Sequence, residues 1–238
     1  MGGVPVVAAA VCPHPPILLP EVASGAAPEL DAARAACANV VAALLATGPD
    51  RLVIVGSGPT PSGVEVRRPD MPLSLAIGEW LVGADQAPQL HQIATDAPPE
   101  ECLAQGRALA AAPDRVALLV MGDGSACRGP KSPGYDDPRA EGFDRAVADA
   151  LAAADAPALL ALDPGLAREL RCAGRAPWQV LAGALSASPD AQSADGSADG
   201  QTADGQQWHG GQRWHGEVYY DEAPYGVAYF VAIMRLSS

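Results

Sequence analysis

The chain has 238 residues, a length that one well-packed domain can bury, so a single domain spanning 1–238 is expected. Fifteen basic residues against 28 acidic ones give a formal net charge of −13, which argues against nucleic acid and membrane surfaces as partners. The five cysteines form no Cys-x-x-Cys pair and the first residues carry no basic or long apolar segment, so a cytoplasmic protein without disulfides is expected.

Three short apolar runs predict buried strands. They are Val4–Val11, Leu52–Gly56 and Val116–Met121, each about the length of a sheet strand. Between the first two, Pro28–Thr47 has the apolar spacing of a helix and stops at Gly48-Pro49. This order predicts a βαβ unit and an α/β fold, a three-layer α/β/α domain around a mostly parallel or mixed sheet.

The second half of the chain first predicts helices. Asp137–Ala154 begins with Asp-Pro and repeats large apolar side chains at four-residue spacing, which places them on one helical face. Two further helices are predicted at Pro164–Arg171 and Ala176–Ala187, separated by Gly174.

The residues from 188 to 216 are rich in Asp, Gly, Gln and Ser, a composition too polar to bury a core. We expect a flexible insertion there, with a hairpin turn where Trp208-His209 and Trp214-His215 flank two glycines. The chain then closes with two strand-like runs, Glu217–Glu222 and Val227–Met234, joined by an Ala-Pro-Tyr-Gly turn.

Three loops that follow predicted strands define a candidate site, because ligands of open sheets gather beyond the carboxyl ends of parallel strands. The loops are Cys12–Pro16, Ser57–Thr60 and Gly122–Cys127. The candidate ligand-binding residues in them are His14, Ser57, Asp123 and Ser125. For Asp123, the alternative is a cap on the turn that follows it.

His14 lies in a proline-rich turn, where fixed backbone angles would hold an imidazole rigidly, as a metal site requires. The alternative is a loop histidine bonded to a nearby carbonyl. His91, in a polar region flanked by prolines, is predicted to be a surface residue.

Four blocks of sequence, spread over nearly the whole chain, follow the pattern of a known enzyme family. They read AAVCPHPPILLPEV at 9–22, GDGSACRGPKSPGYDDPRAEGFDRAVADAL at 122–151, APWQVLAGAL at 176–185 and YDEAPYGVAYFVA at 220–232. In this order they resemble the class III extradiol ring-cleavage dioxygenases and their Memo-like relatives. The resemblance implies a non-haem Fe(II) held by two histidines and one carboxylate, a further histidine as acid and base, and association into a homodimer.

Residue by residue, the resemblance implies that most of the metal and base positions are replaced in this chain. The first metal histidine falls on His14, the second falls near Ser57, and the acid/base histidine falls on Ala126. A hydroxyl is a poor Fe(II) ligand, and loss of a positioned base typically lowers a rate by ~10²–10⁴-fold.

The metal carboxylate has no fixed alignment, and Glu222 is the candidate. Alternation along the predicted strand puts Glu222 on the apolar face with Val218 and Tyr220, where a carboxylate needs a partner. The alternative is that Glu222 ends the strand in water.

A second metal hypothesis uses sulfur ligands. Cys12, His14 and Cys127 would form a soft pocket for Zn rather than Fe. The alternative is that both cysteines are small buried hydrophobes.

Three functions are therefore weighed. The first is a dioxygenase-like protein without ring cleavage or cofactor, which binds a small molecule or partner in the former active-site cleft. The second is an active non-haem metal enzyme that uses His14 and Glu222 with Fe(II) or Zn. The third is a non-enzymatic interaction module that acts through the 188–216 insertion. The first is favoured, because a fold cannot replace missing chemical groups.

Overall fold

The computed structural model describes residues 6–23, 28–58, 71–187 and 214–237, and their six strands form one mixed sheet in the order β3-β2-β4-β1-β6-β5. The strands are β1 Val6–Cys12, β2 Arg51–Gly58, β3 Gln89–Ala94, β4 Val116–Met121, β5 Trp214–Glu222 and β6 Tyr229–Leu236. The first four strands pair in parallel, whereas β6 is antiparallel to both β1 and β5.

The helices cover both faces of the sheet, which confirms the predicted α/β fold class. They are α1 Pro20–Ala23, α2 Asp31–Leu45, α3 Leu73–Val82, α4 Pro99–Ala110, α5 Ala140–Ala153, α6 Ala156–Leu160, α7 Pro164–Glu169 and α8 Arg175–Leu185. Helices α2 and α3 pack on one face, and α4, α5, α6 and α8 lie on the other. Over the described residues, no helix has the length and apolar character that crossing a membrane requires.

Successive residues of the central strands belong to two different cores. Val11 and Val120 face the α8 side, whereas Cys12 and Met121 face the α2 side. Burial on both faces requires a continuous apolar run rather than an alternating one, and this is why these strands could be predicted.

Helix α8 approaches α4 closely because glycines line their contact. A methyl group at Gly106 would overlap the carbonyl oxygen of Val180, and one at Gly183 would overlap that of Leu103. This contact fixes α8 in position, with its amino end at the carboxyl edge of the parallel strands.

Four predicted helices correspond to observed ones. Their predicted bounds all lie within three residues of the bounds of α2, α5, α7 and α8. The sequence interpretation missed α1, α3, β3, α4 and α6, and β5 begins at Trp214 rather than Glu217. Most of the predicted insertion, 188–213, lies outside the described residues, and so does the predicted hairpin turn at Trp208-His209.

Candidate functional site

The loops after β1 and β4 meet at the carboxyl edge of the sheet. The backbone N–H of Gly122 donates to the carbonyl of Cys12 at 3.0 Å, and the N–H of His14 donates to Asp123 Oδ1 at 2.8 Å. The Asp123 carboxylate therefore holds the loop after β1, and the alternative that it caps its own following turn is wrong.

His14 and Asp123 form a mostly buried polar pair, with side chains 11% and 14% exposed. His14 Nδ1 lies 3.7 Å from Asp123 Oδ1 and has no hydrogen-bond partner within the described residues. Burial raises the pKa of Asp123, and the neighbouring His14 opposes that rise. Burial also raises the pKa of the Tyr229 phenol, and the charge of Asp123 adds to this rise. An imidazole, a carboxyl group and a phenol therefore share this part of the edge.

Ser57, at the end of β2, is bonded to the segment between α7 and α8. Its hydroxyl donates to the carbonyl oxygen of Ala173 at 2.9 Å, and the N–H of Gly174 donates to the carbonyl of Asp123 at 2.8 Å. The 171–174 segment therefore connects the ends of β2 and β4. A cavity of about 410 Å³ adjoins it, lined mainly by α7 and this segment.

Trp178 forms the floor beneath these loops. Its indole is fully buried and packs edge-on against Phe230, with ring centroids 5.8 Å apart. A methyl group at Gly174 would overlap the indole, and one at Gly122 would press against it at 2.9 Å. Both loops therefore need glycine where their backbones cross the ring.

Ser125 is fully buried beneath the loop and is bonded to Asp144 of α5. Its N–H and hydroxyl donate to the Asp144 carboxylate at 2.8 and 2.6 Å, and Arg128 approaches the same carboxylate at 3.3 Å. Burial raises the pKa of Asp144, and the bonds from Ser125 and Arg128 oppose that rise. Ser125 therefore does not face the cleft, and a ligand-binding role for it is not supported.

The sequence interpretation did not single out Asp144. The available signal was an acid on the face of α5 that also carries Phe143 and Val147, since a carboxylate on an apolar face needs a partner.

The two cysteines of the proposed zinc pocket lie on opposite sides of the sheet. Cys12 faces α2 and contacts Cys37, and its pKa is raised mainly by burial. Cys127 belongs to the other core, where its sulfur lies 3.4 Å from each of the carbonyl oxygens of Gly134 and Leu170, either of which can accept the thiol proton. The Cys12–His14–Cys127 pocket is therefore not assembled.

Glu222 does not share a face with Val218 as alternation predicted. A bulge between Val218 and Tyr220 shifts the register, so Val218 packs towards the α5 side and Tyr220 towards the α2 side. Glu222 is exposed at the strand end, and it adds to the burial that raises the pKa of the neighbouring Tyr220.

The described residues contain no group of three or more His, Cys, Asp or Glu side chains that could hold a metal ion. At the positions implied for the second metal histidine and for the acid/base, Ser57 donates to a carbonyl and Ala126 has only a methyl group. The backbone of Ala126 is itself bonded, with its N–H 2.9 Å from the carbonyl of Leu170. This part of the chain does not fit the two-histidine, one-carboxylate arrangement for Fe(II).

His91 is half-buried on β3 rather than a surface residue. Its Nε2 lies 2.6 Å from Oε1 of Gln105 on α4, and burial lowers its pKa. The prediction was wrong because neither β3 nor α4 was recognised, and Gln105 of α4 contacts the ring of His91.

No protein-family model matches this chain, and no curated protein matches it. The resemblance to the class III extradiol dioxygenases therefore depends on the four sequence blocks alone and stays a prediction.

Proposed function

We propose that this chain is a class III extradiol dioxygenase-like protein that binds a small molecule at the carboxyl edge of its sheet and does not cleave aromatic rings. The observation that carries the proposal is the bond from the Ser57 hydroxyl to the carbonyl of Ala173. Ser57 stands where the resemblance implies the second metal histidine, and its proton is already bonded to the backbone. A neutral hydroxyl in such a bond is a poor ligand for Fe(II).

The second support is the absence of a proton-transfer group at Ala126. A methyl group cannot exchange a proton with a bound phenol, and loss of a positioned acid/base lowers a rate by ~10²–10⁴-fold. The polar groups nearest in sequence do not replace it, because Ser125 is buried and bonded to Asp144.

The third support is the cavity of about 410 Å³ beside the 171–174 segment. Small-molecule sites usually have volumes of roughly 300–1,000 Å³. The segment also carries the bonds to Ser57 and Asp123, so the cavity wall is anchored to two strand ends. A formed pocket therefore adjoins the strand ends that carry Ser57 and Asp123.

Oxygen consumption tests the proposal directly. The purified protein is loaded with Fe(II) under anaerobic conditions, mixed with catechol, and followed with an oxygen electrode. We expect no uptake above that of Fe(II) and catechol alone, and the same result for His14→Ala. Uptake with ring opening that disappears in His14→Ala would overturn the proposal and favour an active metal enzyme.

A further inference from the structure

We propose that the cavity of about 410 Å³ binds a small organic oxyanion, a carboxylate or phosphate group on an apolar body, through Arg168, Arg171 and Arg175. The inference rests on the proposed function for the location of the ligand and adds its chemical class.

The first argument is the distribution of charge. Three arginines and one acid, Asp96, line the cavity, although the whole chain has a formal net charge of −13. A concave site lined by one sign of charge concentrates ligands of the opposite sign. The cavity is therefore a cationic site within an acidic protein.

The second argument is the buried charge of Arg175, which is only 3% exposed. Its guanidinium donates to the carbonyls of Thr95, at 2.8 Å, and Ala97, and to Gln179 Oε1 at 3.0 Å. Its Nη1 also lies 4.0 Å from Cys102 Sγ, all four acceptors are neutral, and none of the described carboxylates forms an ion pair with Arg175. The charge therefore has no carboxylate counter-ion within the described residues, and an anion in the cavity would supply one.

The third argument is the backbone of Arg171, which adopts a left-handed conformation with φ of 54°. Helix α7 ends there in a Schellman motif, with the N–H of Cys172 bonded to the carbonyl of Ala167 and that of Arg171 to the carbonyl of Arg168. Glycine is the usual residue at this position, because a side chain is disfavoured there. The guanidinium of this exposed arginine donates to the carbonyl of Pro133 at 3.0 Å and forms no ion pair within the described residues. An arginine held in a strained conformation beside a cavity points to a use for that charge.

The fourth argument is that the cavity combines charged donors with apolar walls. Arg168, exposed on α7, forms no ion pair within the described part of the chain, so its fork of donors is available for a carboxylate or phosphate. Pro164, Ala167 and Cys172 add apolar surface to the cavity. This combination fits an oxyanion attached to an apolar body better than a free inorganic ion.

Isothermal titration with three probes of the same ring tests the ligand class. Benzoate and phenyl phosphate carry an oxyanion, whereas benzamide is neutral and similar in shape to benzoate. We expect at least one of the charged probes to bind about tenfold or more tightly than benzamide, and added NaCl to weaken it. The better of the two identifies the carboxylate or the phosphate as the preferred group. Equal binding of benzamide, or no binding of either oxyanion, would overturn the inference.

Two variants and a matched control assign the binding to this cavity. Arg168→Ala and Arg171→Gly should each weaken the better probe about tenfold, since each removes a charged donor. Arg171→Gly should fold, because glycine suits its backbone. Ala154→Gly also introduces a glycine at a left-handed helix end, after α5 and away from the cavity. It should leave binding unchanged.

Unaltered affinity in both arginine variants would refute the cavity as the site. The oxygen experiment fails or succeeds separately, because it reports on chemistry at His14 with catechol. Ring cleavage together with charge-dependent binding would overturn the proposed function and leave the anion site intact.

Discussion

Asp144 and Arg175 are both buried, at 1% and 3% exposure, but their charges are compensated differently. Asp144 accepts two bonds from Ser125 and faces the cation of Arg128, so its charge is balanced within the chain. Arg175 has only neutral acceptors among the described residues. A buried charge with its own counter-ion supports the fold, whereas a buried charge without one at the wall of a cavity indicates a place for an external ion.

The largest expected effect is from Asp144→Ala, which removes the buried carboxylate that Ser125 and Arg128 compensate. It leaves the buried N–H and hydroxyl of Ser125 without acceptors, and we expect a loss of ~3 kcal/mol in the free energy of unfolding, measured by urea denaturation. Asp149→Ala removes an exposed carboxylate from the same helix and should change that free energy by less than about 0.5 kcal/mol. Equal losses in the two variants would contradict the structural role of Asp144.

A smaller loss is expected for Arg175→Met, which removes the unbalanced charge. The carbonyls of Thr95 and Ala97 lose their donors. Removal of the guanidinium also removes the free-energy penalty for burying a cation without a counter-ion. We expect a net loss of ~2 kcal/mol in urea denaturation. A loss as large as that of Asp144→Ala would mean that Arg175 has a carboxylate partner in the folded chain.

A bound oxyanion should stabilise the native protein, because it supplies the counter-ion that Arg175 does not have within the described residues. At a free concentration ten times its Kd, the better oxyanion probe should stabilise the native protein by about 1.4 kcal/mol and raise its Tm. The rise should be absent in Arg175→Met and present in Asp149→Ala, as measured by calorimetry. A similar rise in all three proteins would indicate binding elsewhere.

His91 gives the smallest expected effect. Like Arg175, it is a potential cation with a neutral partner, but its imidazole can lose a proton and the guanidinium of Arg175 cannot. Burial lowers its folded-state pKa below the ordinary value near 6.5, so its contribution to stability is present above that pH and is lost as pH falls through the folded pKa. Between pH 7 and pH 5, His91→Gln should therefore lose less stability than the natural chain, as followed by urea denaturation at each pH. Parallel pH profiles would show that the ring titrates as if exposed.

The sequence predicted the central strands and the main helices because these follow from local patterns. The apolar runs of β1, β2 and β4 reflect burial on two faces, and the meeting of His14 with Asp123 follows from the rule for strand ends. Strand β3 escaped notice because Gln89–Ala94 is a polar strand at the edge of the sheet, with a weak apolar signal.

The charge contacts could not be predicted, because they join residues that are distant along the chain. Ser125 and Asp144 are 19 residues apart, and Arg175 is 80 residues from Thr95. The bulge beside Tyr220 also depends on how β5 pairs with β6, and a single extra residue there reversed the expected orientation of the strand end.

That bulge has a bearing on how copies of this chain would meet. In the part of the chain that the structure describes, β5 is an edge strand, and a regular edge offers unpaired backbone groups that a second molecule can extend. The irregular ladder at Val218–Tyr220 makes such an extension unfavourable, and the exposed carboxylate of Asp221 adds a charge that a pairing strand would have to accommodate. A homodimer of the kind that the resemblance suggests would therefore be expected to form through a surface other than this strand, and sheet-to-sheet aggregation along it is discouraged.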